Sequence, residues 1–162
     1  MRRLKRDPKC ISTLSAIHSD HRARCYAYAP GDKHFYPALD IYTSEKDGKL
    51  IQINISYNEH DYRESTWELH EEMCFAALGA LLPDLSKVNL EELCQKVYKE
   101  AADHMFPHDQ KYGRGAVPAV LFHHNGIGVY PYFTEGSRDY FCVIPVDEAC
   151  LSEFEENGTR IE

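Results

Sequence analysis

The most regular pattern in the chain lies at Ile51, Ile53, Ile55 and Tyr57, which alternate with the polar Gln52, Asn54 and Ser56. A period of two places the apolar set on one face of a β-strand and the polar set on the other. An apolar stretch at 36–43 precedes it, separated by Glu45-Lys46-Asp47-Gly48, in which Asp47-Gly48 supplies the positive-φ residues of a tight turn. The pattern predicts a hairpin of strands 36–43 and 49–57 with one face buried and one wet, the mark of an antiparallel sheet covered on one side.

The period then changes to that of a helix. After the polar 58–64, Ser65 and Glu68 form a capping pair, and Leu69, Met73, Ala76, Ala77 and Ala80 recur at helical spacing until Pro83. Glu68, Glu71 and Glu72 suit the positive end of that helix dipole. A second capping pair, Asn89 and Glu92, opens a stripe of Leu90, Leu93, Cys94, Val97, Tyr98, Ala101 and Met105, which Pro107 is expected to end. Gly113-Arg114-Gly115 follows a helix, so it reads as a connector and not as a phosphate loop.

Strand character returns at 117–123, 127–133 and 140–144, joined by Asn125-Gly126 and Glu135-Gly136-Ser137, which predicts a meander. Pro131 belongs at an edge or bulge. A short acidic helix over 146–156 is closed by Asn157-Gly158. The order ββααβββ predicts an α+β domain: an antiparallel β-sheet of about five strands with two helices on one face and a short C-terminal helix. Residues 1–30 read as a basic, partly ordered N-terminal arm and 31–162 as a single α+β domain, because strands from both ends are needed to bury two helices.

From residue 36 to about 150 the chain resembles the bacterial domain of unknown function that forms the C-terminal part of the extracellular region in lysozyme-sensing anti-sigma factors. The resemblance is carried by Tyr36-Pro37, by the 81–97 segment with Asn89-Leu90-Glu91-Glu92-Leu93, and by Asn125-Gly126-Ile127-Gly128-Val129-Tyr130 leading through Gly136 to Val143-Ile144-Pro145. It implies protein binding in place of catalysis, and an exported or membrane-anchored setting. No export signal precedes Tyr36, and the resemblance assigns no functional residue.

Charge sharpens this picture. The 162 residues carry 18 Lys and Arg against 26 Asp and Glu, a net −8. Residues 1–25 hold seven basic and two acidic side chains, or +5, which leaves −13 on the remainder. An acidic body excludes nucleic acid as its partner and favours a basic protein, since opposite potentials speed encounter and suppress wrong partners. Ser12, Thr13 and Ser15 interrupt what would be the apolar core of a secretory signal, and no run is long enough to span a membrane. As a full-length chain the protein is expected in the cytoplasm, with Cys10, Cys25, Cys74, Cys94, Cys142 and Cys150 as reduced thiols; as an excised domain it would be extracytoplasmic. The cysteines contain no C-x-x-C pair.

Candidate chemistry is sparse. His104 and His108 are four apart and His123-His124 would complete a zinc site, but Pro107 intervenes, adjacent strand histidines point to opposite faces, and no H-E-x-x-H occurs. Asn58-Glu59-His60-Asp61 places acid and base side by side in a loop, where neighbours seldom converge on one reacting atom. Cys74 and Cys94 lie on apolar helix faces, as packing groups, and Cys142 lies in a strand. No catalytic residue, metal or cofactor is expected. Tyrosines near turns and strand ends, set among acids, suit a protein interface instead, and the expected contact residues are Tyr62, Glu64, Tyr112, Tyr132, Glu135 and Asp139. These features predict a non-catalytic acidic binding module for a basic partner, like an immunity protein or inhibitor. The alternatives are an extracytoplasmic ligand-sensing domain and a metal-dependent hydrolase using the His cluster.

Overall fold

The computed structural model describes residues 21–26, 38–44, 46–57, 64–112, 117–133 and 139–162. Along the chain run β1 (His21–Tyr26), β2 (Ala38–Thr43), β3 (Leu50–Tyr57), α1 (Glu64–Leu81), α2 (Lys87–Tyr112), β4 (Val120–His124), β5 (Ile127–Phe133), β6 (Asp139–Pro145), α3 (Glu148–Glu156) and β7 (Arg160–Ile161). Among the described residues the strands form a seven-stranded sheet in the order β1-β2-β3-β6-β5-β4-β7, in which every pairing is antiparallel except the parallel β4–β7. The predicted α+β class and the order ββααβββ with a C-terminal helix describe this fold. Two strands are additional: β7, and β1, which lies within the stretch read as the basic arm.

Alternation sorts the sheet residues into two layers. Ile53, Ile55, Val120, Phe122, Val129, Phe141 and Val143 face α1 and α2, whose Cys74, Leu78, Leu90, Cys94 and Val97 complete the main core. Leu121, Tyr130, Cys142 and Ile144 point the other way and pack on Phe154 of α3. The polar side of β3 is therefore not wet, as alternation alone suggested. Gln52 and Asn54 are buried, as is Asp40 on β2. Period two identifies which residues share a face, but not what lies on the polar side.

The helix boundaries also differ from those expected. Ser86 caps α2, its Oγ accepting from the Asn89 N–H at 3.2 Å, so Asn89 sits in the first turn. Ser65 likewise lies just inside α1. Pro107 does not end α2, which continues to Tyr112. A proline at 107 removes the donor for the carbonyl of Asp103. Both residues face solvent, where water replaces the lost donor, and the helix persists.

The turns follow local backbone rules. Asn125 and Gly126 both adopt positive φ, 47° and 78°, as a type I′ hairpin demands. In the β2–β3 connection only Gly48 of the Asp47-Gly48 pair is left-handed, and the loop closes through Gly48 N–H to Ser44 O at 2.8 Å. Pro131 lies in an internal strand, but the β4–β5 register ends at Val129, so the ring sits beyond the last β4–β5 pair.

Candidate functional site

Topology divides the connections between two ends of the sheet. One end gathers the β2–β3 turn, the α1–α2 turn, the β4–β5 turn and the start of α3. This end is cross-linked: His124 Nε2 and Asn125 Nδ2 each lie 2.8 Å from Asp84 Oδ2, and the Val146 N–H donates to Gly126 O. The other end receives the chain leaving β1, β3, α2 and β5. Of the expected contact residues, Glu64, Tyr112, Tyr132 and Asp139 fall at this end.

Glu64 opens α1, Tyr112 closes α2, Tyr132 lies near the end of β5 and Asp139 opens β6. Register sets Asp139 opposite both Phe133 and Tyr57, and Tyr132 opposite Tyr140. Tyr132 is half-buried against the α3 core. Tyr62 and Glu135 lie outside the described residues, as does Asn58-Glu59-His60-Asp61, and the side chains of Glu64, Tyr112 and Asp139 are likewise not described. The backbone thus brings Glu64, Tyr112, Tyr132 and Asp139 to one end of the fold.

The histidines considered as metal ligands are engaged elsewhere. Because α2 is continuous, His104 and His108 do share a helical face, contrary to the expected break at Pro107. His104 Nδ1 lies 2.7 Å from Glu100 O, and its Nε2 lies 2.9 Å from an Arg160 guanidinium nitrogen. Arg160 also pairs with Glu162, which Lys96 reaches at 2.8 Å, so the group fastens β7 to α2. His108 is buried, His123 is exposed and His124 is held by Asp84. Among the described residues no three His, Cys, Asp or Glu are placed to hold a metal ion.

A Cys–His pair that the sequence reading passed over lies between α1 and the sheet. His70 Nε2 sits 3.7 Å from Cys74 Sγ and 2.6 Å from the Tyr98 hydroxyl. The i, i+4 spacing of His70 and Cys74 on one helix was the available signal. Nucleophilic catalysis would need a thiolate beside an accessible base. Burial does the reverse here, lowering the His70 pKa to about 4 and pushing the Cys74 thiol well above its ordinary value. Both groups stay neutral, and the pair acts as packing.

The remaining thiols differ in state. Cys94 and Cys142 are free and buried, each with a pKa raised to about 12, chiefly by burial. Tyr130 and Gln52 hydrogen-bond with the Cys142 thiol, and Gln52 Nε2 donates to Asn54 Oδ1, so a polar chain crosses three central strands. Cys150 is disulfide-bonded, which corrects the expectation of a reduced thiol at that position.

Acidic charge without basic neighbours on the same helix marks α1 and α3. Glu64, Glu68, Glu71 and Glu72 lie on α1 with no Lys or Arg. α3 carries Glu148, Glu153, Glu155 and Glu156, again with no Lys or Arg, and Glu148, Glu155 and Glu156 are exposed. No described helix is long and apolar enough to cross a membrane. Compared with known proteins, the chain matches no family model, no curated protein and no solved structure.

Proposed function

We propose that this protein is a non-catalytic acidic module that binds a basic partner protein, in the manner of an immunity protein or an inhibitor. The observation that supports this reading is the outward face of α3, where Glu148, Glu155 and Glu156 are exposed with no basic residue on the helix. Such a surface raises local potential and steers a cationic partner toward it. Tyrosine-bearing strand ends and the acids that open α1 and β6 supply a second element, since aromatic anchors carry much of the energy of interfaces.

The test is affinity measured over increasing salt with a purified basic binder, beside the Glu148→Lys, Glu155→Lys, Glu156→Lys triple variant. Binding is expected to weaken steeply as the Debye length shrinks from about 10 Å toward about 3 Å, and to weaken further in the variant. Affinity indifferent to both overturns the proposal.

The disulfide at Cys150 favours a second reading, an extracytoplasmic ligand-sensing domain of the kind the anti-sigma resemblance implies. Disulfides persist in oxidising compartments and are rare in the cytosol. Signal-sequence mapping of the native gene product and fractionation of host cells test it, and recovery of all cysteines as thiols in the cytosolic fraction overturns it.

A further inference from the structure

The tautomer of His104 follows from its two partners. Glu100 O is a carbonyl and can only accept, so Nδ1, 2.7 Å away, carries the hydrogen and donates it. A guanidinium can only donate, so Nε2, 2.9 Å from Arg160 Nη1, is the bare nitrogen that accepts. His104 is therefore neutral in this arrangement, with its one ring hydrogen on Nδ1 and its lone pair directed at Arg160.

β7 depends on such contacts because it is short. It has two residues, set parallel to Val120 and Leu121 of β4. Its ladder includes the Arg160 N–H to Ala119 O at 2.9 Å, the Glu162 N–H to Leu121 O at 2.9 Å and the His123 N–H to Glu162 O at 2.8 Å. Side chains tie it to α2 through Arg160 to His104, Arg160 to Glu100 at 3.9 Å and Lys96 to Glu162 at 2.8 Å. Lys96, Glu100 and His104 are spaced by four on α2 and so form one stripe.

A proton acts on these links unequally. Histidine changes charge between about pH 5 and 8, where carboxylates and amines ordinarily do not. The Lys96 ammonium beside Glu162 holds that carboxyl below the usual carboxylate range, so the Lys96–Glu162 pair keeps its charges through the window. A second ring proton on His104 would turn Nε2 from acceptor into donor and set an imidazolium against a guanidinium. The charged groups around His104 are Lys96, Glu100 and Asp103 on α2 and Arg160 and Glu162 on β7. His108, one turn further along α2, is buried, and His123 on β4 is exposed. The three carboxylates attract an imidazolium and the two basic groups repel it. Protonation is therefore accommodated once Arg160 withdraws, with Glu100 Oε2, 3.6 Å from Nδ1, facing the new charge.

We propose that His104 is an acid-released latch for β7. Neutral, it accepts from Arg160 and holds the strand to α2. Protonated by solvent at Nε2, it repels Arg160 and loosens β7 from β4, which uncovers the carbonyls of Ala119 and Leu121 and the N–H of His123.

Two measurements test the latch. Imidazole ¹⁵N spectra at about pH 8 are expected to show His104 protonated at Nδ1 and bare at Nε2, and a hydrogen on Nε2 at that pH overturns the proposal. Residue-resolved amide exchange, corrected for intrinsic rates, is then followed from about pH 8 to about pH 5 in the wild type and in His104→Gln, whose amide oxygen accepts from Arg160 without titrating. The N–H groups of Arg160, Glu162 and His123 are expected to lose protection about fivefold more in the wild type, as suits a half-exposed ion contact. The Val146 N–H, bonded to Gly126 O, is expected to behave alike in both. His70 is present in both proteins, so its own protonation cancels. Equal loss in the two proteins, or a difference at Val146 as large as that at β7, overturns the proposal.

Discussion

His70 makes the stability of this fold dependent on acid in a calculable way. Its imidazole is fully buried and shares a 2.6 Å hydrogen bond with Tyr98. Desolvation is the leading cause that lowers its pKa from 6.5 to about 4, because an imidazolium would lose its hydration. The unfolded chain therefore binds a proton more readily than the folded one between these two values. Stability is complete above about pH 6.5, falls as pH drops toward about 4, and levels off below that. A gap of about 2.5 pKa units corresponds to about 3 kcal/mol, a large part of the stability of a domain this size.

Urea unfolding at a series of pH values from 7.5 to about 3.5, on the wild type and on His70→Gln, measures it. Glutamine keeps a polar group for the Tyr98 hydroxyl but does not titrate. The carboxylates common to both proteins cancel in the difference. The wild type is expected to lose about 3 kcal/mol more than the variant between pH 6.5 and 4. Parallel pH profiles would refute the claim that His70 is buried in its neutral form.

Other perturbations test separate parts of the structure. Gly128→Val is expected to lower stability by about 1 to 3 kcal/mol in thermal melts, since even a Cβ there would lie 2.8 Å from Val146 Cγ1 and 3.4 Å from Ile144 and Leu121 atoms. Thr159→Val removes the buried hydroxyl that donates to the Pro118 carbonyl at 2.7 Å, and about 1 to 3 kcal/mol should be lost in denaturant titration. Phe154→Ala should cost about 3 to 5 kcal/mol by the same assay and loosen α3, because this ring anchors α3 to the sheet. Cys74, Cys94 and Cys142 should resist a thiol reagent at pH 8 in the native state and react after unfolding, as burial holds each well above its ordinary pKa.

Local rules made some elements legible and hid others for physical reasons. The β3 alternation, the Asn125-Gly126 turn and the stripe on α2 each encode their geometry within a few residues, and each stands in the structure. β1 was hidden because the residues that alternate with Arg22 and Arg24 are only His21, Ala23 and Cys25, polar or too small to show an apolar pattern. Pro107 looked like a stop because sequence shows the missing donor but not the solvent exposure of the turn that lacks it. Burial of Gln52 and Asn54 depends on a layer contributed by distant residues, which a period of two does not encode. The gathering of Glu64, Tyr112, Tyr132 and Asp139 at one end follows from strand order, for the same reason.

The β3–β6 ladder has a kinetic consequence. It joins Ile53 to Val143 and Tyr57 to Asp139 in the middle of the sheet, across both helices and the β4–β5 hairpin. The β1-β2-β3 and β6-β5-β4 sets can each form early from neighbouring residues, but their shared core closes only when segments more than eighty residues apart meet. Such non-local closure belongs to the slower class of folding reactions, and the unpaired β3 and β6 edges stay open to wrong partners until it occurs. Cutting the chain in the α1–α2 turn would leave one such edge on each fragment, so the two pieces should assemble with each other more readily than either folds alone.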